Sequence, residues 1–252
     1  MDEQPGRVIE VEDLSVRYGD EVILDDVSFG VSRGEIVIIA GTSGCGKSTL
    51  LRHMIGLGRP ASGRVLIGGV DIATASDEQM RSVRRGIGML FQAGGLLGSM
   101  TLGENIDLPL SGFTDLTPEM RETIVRVKLA MVGLSGYEDH LPGELSGGMR
   151  KRAGIARAMA LDPDMLFLDE PFAGLDPITS AGIESLVQEI NRGMGTTMVI
   201  VSHELEAIFR LAERIVMLDI SKKGIIAEGD PRALKESPPN PHVRHFFNRE
   251  IE

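Results

Sequence analysis

A glycine-rich stretch directly after an apolar run constrains the fold of this 252-residue chain more than any other feature. The run Ile36 to Ala40 suits a buried strand, and Gly41 to Thr49, with sequence GTSGCGKST, fits the phosphate-binding P-loop pattern. A helical pattern follows from Ser48 to Ile55. Because this motif works between a strand and a helix, the sequence predicts an α/β fold that presents the loop at a strand's carboxyl end.

The residue types in this loop suit phosphate and magnesium chemistry. Glycines let backbone N–H groups wrap a phosphate at a helix N-terminus, Lys47 neutralises phosphate charge, and the Ser48 hydroxyl can ligate Mg²⁺. A glycine turn without a ligand is the alternative, and the strand and helix on either side disfavour it. Cys45 is interpreted as a small filler rather than a redox switch. The predicted phosphate-binding residues are Gly41, Ser43, Gly44, Cys45, Gly46, Lys47, Ser48 and Thr49.

The remaining pattern predicts one domain over 1–252 with several parts. Residues 7–39 alternate apolar and polar positions around Tyr18, which indicates antiparallel strands. Short apolar runs then alternate with helical patterns, which is typical of a parallel sheet covered by helices. The predicted parts are a core with a β subdomain at about 7–92 and 162–229, a helical subdomain at 93–161, and a helical tail at 230–252.

Within these parts, several helix starts carry local signals. Thr117 followed by Pro118 predicts a capped helix in the helical subdomain, and Asp230 and Asn240, each followed by proline, predict two short helices in the tail. The tail could dock on a partner, but a helix packed on the subunit's own core is the favoured interpretation.

Composition narrows the function classes. The apolar runs are far shorter than the roughly 18 residues of a membrane-spanning helix, and the start of the chain lacks a secretory pattern, so we expect a cytoplasmic protein. The single cysteine precludes an internal disulfide. A net charge of −11 disfavours nucleic-acid binding. Solvated helix faces are the favoured interpretation of two basic clusters, Arg81, Arg84 and Arg85, and Arg150, Lys151 and Arg152.

Polar residues follow three further apolar runs. The run Met165 to Leu168 ends in Asp169 and Glu170, and two others deliver Gln92 and His203. Because ligands bind at the carboxyl ends of strands in α/β sheets, we expect these residues to converge on the P-loop. Adjacent strand residues face opposite sides, so one carboxylate can serve Mg²⁺ while the other points toward an attacking water. A pair of helix-capping carboxylates is the alternative.

A second phosphate-binding pattern lies further along the chain. Leu145 to Met149 reads LSGGM and precedes a predicted helix from Arg150 to Leu161. Ser146 can cap that helix, while Gly147 and Gly148 leave backbone N–H groups open to an anion. One nucleotide gives a chain little use for two such sites unless another subunit completes each of them.

Taken together, these motifs resemble those of the ABC ATPases over essentially the whole chain, in family order. The resemblance implies an α/β P-loop NTPase core of ABC ATPase type, with an antiparallel β subdomain and an inserted helical subdomain. It also implies a head-to-tail dimer in which each ATP lies between one P-loop and the partner's signature, LSGGM here. The matching residues are Tyr18, the P-loop, Gln92, Leu145 to Met149, Asp169, Glu170, Gly174 to Asp176, and His203.

The resemblance further implies a role for each of these residues. Tyr18 stacks on adenine, and Lys47 with the backbone of Gly44 to Thr49 holds the phosphates. Mg²⁺ is bound by Ser48, Gln92 and, through water, Asp169. Glu170 polarises the attacking water and His203 contacts the γ-phosphate, so that the catalytic residues are Glu170, His203, Gln92 and Lys47. The partner's Ser146, Gly147 and Gly148 close the site, and Asp176 crosses the dimer interface.

Two residues add detail to this resemblance. Asp176 precedes Pro177, so a helix-cap role is a serious alternative to the interface role, and both can hold. Met149 stands where the common signature has glutamine, and with DEPFAGLDPIT after Leu168 this variant is similar to the ATPases of Mla-type phospholipid transporters. That similarity implies a partner permease and an MCE-domain lipid-binding protein at the inner membrane, and it leaves open a small regulatory subunit on the helical subdomain.

Three alternatives remain at this point. The transporter could carry another solute, including an organic solvent, because the permease rather than this subunit contacts the cargo. A soluble ABC ATPase of DNA repair, translation or iron–sulfur assembly is disfavoured by the single cassette, the lack of a long coiled-coil insert and the acidic net charge. A binding-only module is disfavoured because both Glu170 and His203 are present.

Overall fold

A computed structural model describes residues 6–248 of the chain, which separate into two compact units. The first unit comprises the described residues up to Val83 and from Thr197 onward, and the second is Arg84–Thr196. The predicted division into core, helical subdomain and tail stays a prediction. Within the described residues, no helix is long and apolar enough to cross a membrane.

The described residues form ten strands and nine α-helices. The strands are β1 (Arg7–Tyr18), β2 (Glu21–Ser32), β3 (Ile36–Gly41), β4 (Ser62–Ile67), β5 (Val70–Asp71), β6 (Ile87–Leu90), β7 (Met165–Asp169), β8 (Thr197–Val201), β9 (Arg214–Asp219) and β10 (Gly224–Gly229). The helices are α1 (Lys47–Met54), α2 (Asp77–Gly86), α3 (Leu102–Phe113), α4 (Pro118–Met131), α5 (Gly147–Ala158), α6 (Pro177–Met194), α7 (Leu205–Leu211), α8 (Pro231–Glu236) and α9 (Pro241–Asn248).

The first unit contains an antiparallel sheet and a group of mainly parallel strands. The antiparallel sheet has the order β2-β1-β4-β5, and its β1–β2 hairpin turns after Tyr18, as predicted. In the second group, β3 pairs in parallel with β8 and β9, and β10 closes the edge antiparallel to β9. Every residue of β3 and β8 is buried. A strand buried on both faces needs a continuous apolar sequence, which explains the uninterrupted runs at Ile36 and Met198.

The second unit combines one parallel strand pair with helices. Strands β6 and β7 pair in parallel from Ile87–Met165 to Leu90–Leu168. Helices α3, α4 and α5 pack on one another, and α5 also packs on β6. The predicted helix from Arg150 to Leu161 is shifted: it begins at Gly147 and ends at Ala158, because Ser146 caps it at the signature itself.

Helix caps explain why several elements begin where they do. Thr117 accepts a hydrogen bond from the Met120 backbone N–H, and Asp230 accepts from the backbone N–H groups of Arg232 and Ala233. Both predicted helix starts are therefore confirmed. The tail packs on its own unit, since Val243 and Phe247 of α9 are buried and the Phe247 ring lies 5.6 Å from that of Phe209.

Helix α3 is missing from the sequence interpretation, although its capping box is readable. The Thr101 side chain accepts from the Glu104 backbone, and the Glu104 carboxylate accepts from the Thr101 backbone. Asn105, on the next position, is completely buried. Its Nδ2 donates to the carbonyls of Leu97, Met100 and Thr101 at 2.8–3.1 Å, and its Oδ1 accepts from the Leu97 N–H at 2.7 Å. One amide therefore holds the segment that leads into α3.

Replacement of Asn105 by alanine tests this role. The change leaves buried backbone groups without their partner, which costs about 1–3 kcal/mol for each unsatisfied group. We expect Asn105→Ala to lower the free energy of unfolding in urea by at least about 2 kcal/mol. Ser111→Ala is the control, because the exposed Ser111 hydroxyl bonds the Leu108 carbonyl at the surface. Equal unfolding midpoints for the two variants would contradict the role of Asn105.

Candidate functional site

The P-loop joins β3 to α1 in the first unit and encloses the ammonium group of Lys47. The Lys47 Nζ donates hydrogen bonds to the carbonyls of Gly41 and Thr42, each at 2.9 Å, and its side chain is buried. Thr42, Ser43 and Gly44 are exposed at the tip. The loop therefore holds a positive charge in place beneath an open rim.

Two glycines of the loop are required by close approach and by backbone conformation. A Cβ at Gly41 would lie 2.3 Å from the Leu218 carbonyl oxygen, and a Cβ at Gly46 would lie 2.8 Å from the Leu24 side chain. Gly46 also has φ +99°, which side-chain-bearing residues rarely adopt. These constraints explain why the loop carries glycine at both positions.

The start of α1 fits a phosphate group. Gly46 occupies the N-cap, so no side chain caps the helix, and Lys47 to Thr49 form its first turn. Uncapped N–H groups at a helix N-terminus, together with a fixed ammonium group, are the components of an anion site. The Ser48 hydroxyl in the same turn is an oxygen ligand of the kind that Mg²⁺ prefers.

His203 lies at the same sheet edge as the P-loop. Strands β3 and β8 are in parallel register at Ile39–Val201, and two residues further along each strand are Gly41 and His203. The Ser202 backbone N–H donates to the Ile39 carbonyl at 3.2 Å, which continues the pairing to the strand end. The His203 side chain is exposed. The first unit thus brings His203 and the P-loop to one edge, as predicted.

Tyr18 is the last residue of β1, at the end of the β1–β2 hairpin. Its ring is 59% exposed. The same hairpin reaches the P-loop through Leu24 and Ile23, which lie beside Gly46. An exposed aromatic ring on this hairpin is available for stacking on a planar ligand.

The second unit brings Gln92 and Glu170 to one edge in the same manner. Strands β6 and β7 are in register at Leu90–Leu168, and two residues further along are Gln92 and Glu170. Gln92 is exposed, whereas Asp169 and Glu170 are buried. The amide and carboxylate oxygens of Gln92 and Asp169 are ligands that Mg²⁺ accepts.

Glu170 has an unusual backbone conformation. Its φ is +48°, in the left-handed region that residues other than glycine rarely occupy. Such conformations cost of order 1–3 kcal/mol and persist where surrounding contacts enforce them. The turn after β7 therefore sets the direction of the Glu170 carboxylate at some cost to stability.

One part of the sequence interpretation is wrong. Lys151 was expected on a solvated helix face, but it is only 8% exposed. Its Nζ donates to the carbonyls of Gln92 at 2.6 Å and Glu170 at 2.8 Å. These two contacts explain how an ammonium group is tolerated inside the unit, and a composition-based argument could not detect them.

The LSGGM segment forms the capped start of α5. Ser146 Oγ accepts a hydrogen bond from the Met149 backbone N–H at 3.3 Å, which confirms the predicted cap. A Cβ at Gly148 would lie 2.3 Å from the Thr179 side chain, so α5 and α6 approach closely at this point. Gly147 is exposed beside it. A second helix N-terminus with open glycine backbone is therefore present in the chain.

Asp176 caps α6. Its Oδ1 accepts from the backbone N–H groups of Ile178 and Thr179, and its Oδ2 accepts from the Thr179 hydroxyl at 2.5 Å. The hydrogen bonds from Thr179, followed by that from Ile178, lower the pKa of the exposed Asp176 carboxyl. The cap role is confirmed, and the interface role stays a prediction.

Cys45 is a buried residue of the P-loop and is unsuited to redox chemistry. Its thiol is 1% exposed, and burial raises its pKa, with Asp219 adding to the rise and Lys47 opposing it. Because the thiolate is the reactive form, a raised pKa lowers reactivity near neutral pH. The interpretation of Cys45 as an inert filler therefore has a physical basis.

Alkylation kinetics test this description of Cys45. At pH 8 we expect iodoacetamide to modify the native chain at least about tenfold more slowly than the urea-unfolded chain, since the native thiol is both protonated and buried. Mass spectrometry of quenched samples measures both rates. Equal rates would show that the loop opens freely and exposes the thiol.

Comparison with known proteins supports an assignment to one family. The family model described as "ABC transporter" matches residues 24–173. The chain is 39% identical over 248 residues to the Escherichia coli K12 "Intermembrane phospholipid transport system ATP-binding protein MlaF", covering 98% of this chain and 91% of that protein. It is also 40% identical to the Mycobacterium leprae "Probable ribonucleotide transport ATP-binding protein mkl", covering 96% of this chain and 69% of that protein.

Solved structures agree with this assignment. A dimeric structure of MJ0796, described as a bacterial ABC transporter cassette, superposes with a TM-score of 0.81 at 32% identity and covers 88% of this chain and 98% of its own. A second dimeric structure of that cassette, in a post-hydrolysis state bound to ADP and Pi, superposes with a TM-score of 0.80 at 30% identity, with the same coverage. The expected fold class is confirmed.

Proposed function

Since the chain belongs to the ABC transporter family and is an ATPase that binds ATP, we propose that it works as a head-to-tail homodimer that drives phospholipid transport through a partner permease. The 39% identity to a phospholipid-transport ATPase over nearly the whole chain supports the lipid substrate. By the same likeness, the assembly lies at the inner membrane with an MCE-domain partner. The same likeness supports a cytoplasmic location for this subunit.

The presence of two helix N-termini suited to phosphate carries the dimer proposal. Helix α1 begins at the P-loop, and α5 begins at the signature Ser146-Gly147-Gly148. One nucleotide needs one phosphate cradle, so the signature of each subunit serves the nucleotide of the other. The dimeric cassette structures with similar sequences support this arrangement.

Within this site, the residues divide the chemistry between them. Lys47 and the backbone of the P-loop hold the phosphates, and the Tyr18 ring stacks on adenine. Ser48 and Gln92 would provide oxygen ligands for Mg²⁺, and Asp169 would hold the ion through water. The bound ion would neutralise phosphate charge. Glu170 accepts a hydrogen bond from the attacking water, and His203 donates one to the γ-phosphate. Catalysis rests on positioning and electrostatics, without a covalent intermediate.

Replacement of Glu170 by glutamine separates hydrolysis from binding. Glutamine keeps the shape but removes the negative charge that polarises water, and loss of a positioned base costs about 10²–10⁴ in rate. Nucleotide binding persists, because Lys47 and the loop backbone act independently of Glu170. We expect Glu170→Gln to lose turnover and to retain ATP as a dimer on size-exclusion chromatography.

Lys47→Ala is the comparison variant for this experiment. It removes the loop's ammonium group and is expected to lose ATP affinity in equilibrium binding. Near-normal turnover in Glu170→Gln would remove that residue from catalysis. If Glu170→Gln loses ATP affinity as severely as Lys47→Ala, the carboxylate serves the fold or Mg²⁺ instead.

An apolar groove in the second unit is the proposed docking site for the permease. It has a volume of about 320 Å³, and its apolar lining includes Met89, Phe91, Leu108, Pro109, Phe113 and Leu161. Leu108 is 40% exposed there. The groove suits a short apolar segment of a membrane protein. Two of these residues connect the groove to Gln92: Met89 is in strand β6, and Phe91 directly precedes Gln92. Docking can therefore affect the catalytic edge of this unit.

A charge placed in the groove tests the docking site. Leu108→Lys is expected to reduce co-purification of an integral membrane partner from detergent-solubilised native membranes by at least about tenfold, because burial of an unpaired ammonium group is costly. Met194→Lys is the matched control, since Met194 is 43% exposed and lies outside the groove. Unchanged capture by Leu108→Lys would reject the site.

Transport of the cargo is tested on the captured assembly. When the assembly is reconstituted in vesicles, it is expected to move labelled phospholipid to acceptor vesicles after ATP is added. The Glu170→Gln assembly serves as the inactive control.

The name of the Mycobacterium leprae relative favours a second candidate, transport of another solute such as a ribonucleotide. ATP-dependent movement of that solute without phospholipid transfer would replace the lipid proposal.

A further inference from the structure

Lys151 connects three functional segments of the second unit through a single ammonium group. It lies on α5, five residues after the signature Ser146, and its Nζ reaches the backbone carbonyls of Gln92 and Glu170 at 2.6 and 2.8 Å. These carbonyls are at matching positions on neighbouring parallel strands, two residues beyond the Leu90–Leu168 pair. The signature helix is thus bonded to both strand ends that carry catalytic residues.

The burial of Lys151 shows that these bonds matter to the structure. A buried ammonium group is costly unless charged hydrogen bonds compensate it, and an apolar side chain of similar length would fill the same space without that cost. Hydrogen bonds from a charged donor are stronger than neutral ones, and the two carbonyls supply them. The two charged hydrogen bonds therefore hold both carbonyls more firmly than neutral ones would.

The contact with Lys151 bears most directly on the backbone conformation of Glu170. Its φ of +48° persists only if neighbouring groups hold the peptide in place. Lys151 binds the carbonyl of Glu170 itself and so fixes the peptide plane that follows the carboxylate-bearing residue. If this carbonyl were not held, φ of Glu170 could change, which would rotate its side chain about the N–Cα bond and redirect the carboxylate. Misplacement of a catalytic group by about 1 Å can cost 10²-fold in rate.

Further along α5, two more residues contact the segment that follows β6. A Cβ at Gly154 would lie 2.6 Å from the Gly94 carbonyl oxygen, and the Arg157 guanidinium donates to the Gly95 carbonyl. Helix α5 is therefore closely packed along the whole Gln92 to Gly95 segment, and Lys151 makes the contact nearest the catalytic residues. A displacement of the signature helix would therefore move Gln92 directly.

We propose that Lys151 is a positioning residue for ATP hydrolysis: it holds the Glu170 peptide in its left-handed conformation and links it to the signature helix of the same subunit. This inference rests on the proposed role of Glu170 as the group that polarises water. Lys151 acts through the Glu170 peptide, to which its ammonium group is bonded. Its loss is therefore expected to lower kcat and to leave ATP binding to the P-loop intact.

The test compares two buried lysines of the same unit. We expect Lys151→Met to lower kcat about 10- to 100-fold while KM for ATP changes less than about threefold. Lys151→Arg, which keeps the charge and the reach, is expected to recover at least half of the loss on a logarithmic scale. The control is Lys128→Met, because Lys128 is 4% exposed and pairs with Asp162 away from the catalytic edge. Thermal unfolding of all variants gives their stability.

Combination with Glu170→Gln separates the positioning role from a structural one. If Lys151 acts through Glu170, the double variant Lys151→Met/Glu170→Gln turns over at the Glu170→Gln rate within about threefold, so the two losses do not add. Additive losses would overturn the inference. So would a Lys151→Met variant that loses stability like Lys128→Met but keeps its kcat, or one that raises KM alone.

The outcomes also distinguish this inference from the proposed function. Near-normal turnover in Glu170→Gln would reject the catalytic role of Glu170, whatever the result for Lys151. Loss of turnover in Glu170→Gln with unchanged kcat in Lys151→Met would reject the inference alone. If Lys151→Met does not fold, Lys151→Arg and Lys151→Gln carry the same comparison, with the expected order of kcat being lysine, arginine and then glutamine.

Discussion

The hydrogen bonds between the Lys47 ammonium group and the carbonyls of Gly41 and Thr42 are the contact on which the site in the first unit depends. They close the P-loop on itself and hold the ammonium group inside it. The same geometry demands glycine at 41, because the loop leaves β3 against the carbonyl of Leu218. The end of the buried strand, the glycine at 41 and the fixed charge of Lys47 therefore depend on one another.

The second unit uses the same device at the ends of its own two strands. Lys151 donates to two backbone carbonyls at the ends of β6 and β7, as Lys47 does at the end of β3. In both cases a buried cation bonds backbone carbonyls at or just beyond the end of a strand. The difference lies in what the backbone carries: the P-loop presents N–H groups, whereas the β7 end presents the carboxylates of Asp169 and Glu170. Backbone held in this way suits a reaction that depends on positioning rather than on covalent chemistry.

The parts of the fold that could be predicted from the sequence are those set by neighbouring residues. The caps at Thr117, Ser146 and Asp176 bond backbone groups two or three residues away, so a short pattern contains all the information. The buried strands were predictable because a strand covered on both faces must be apolar throughout. By contrast, the partners of Asn105 and Lys151 are set by tertiary packing, and Lys151 meets residues 59 and 19 positions away. No local pattern encodes such partners, which is why the sequence interpretation treats Lys151 as solvated. Helix α3 is a different case, because the capping box between Thr101 and Glu104 is a local pattern that could have revealed its start.

Met149, the departure from the common signature, can be understood from the way α5 begins. The cap on this helix uses the backbone N–H of Met149, a group that every residue except proline possesses, so helix formation places no demand on the side chain. Gly148, immediately before it, is constrained far more severely, because any Cβ would overlap the Thr179 side chain of α6. Thr179 is in turn held by Asp176, which ties the starts of α5 and α6 together. The geometry of the signature therefore depends on small residues and backbone bonds, and the fifth position of the motif is free to differ without disturbing them.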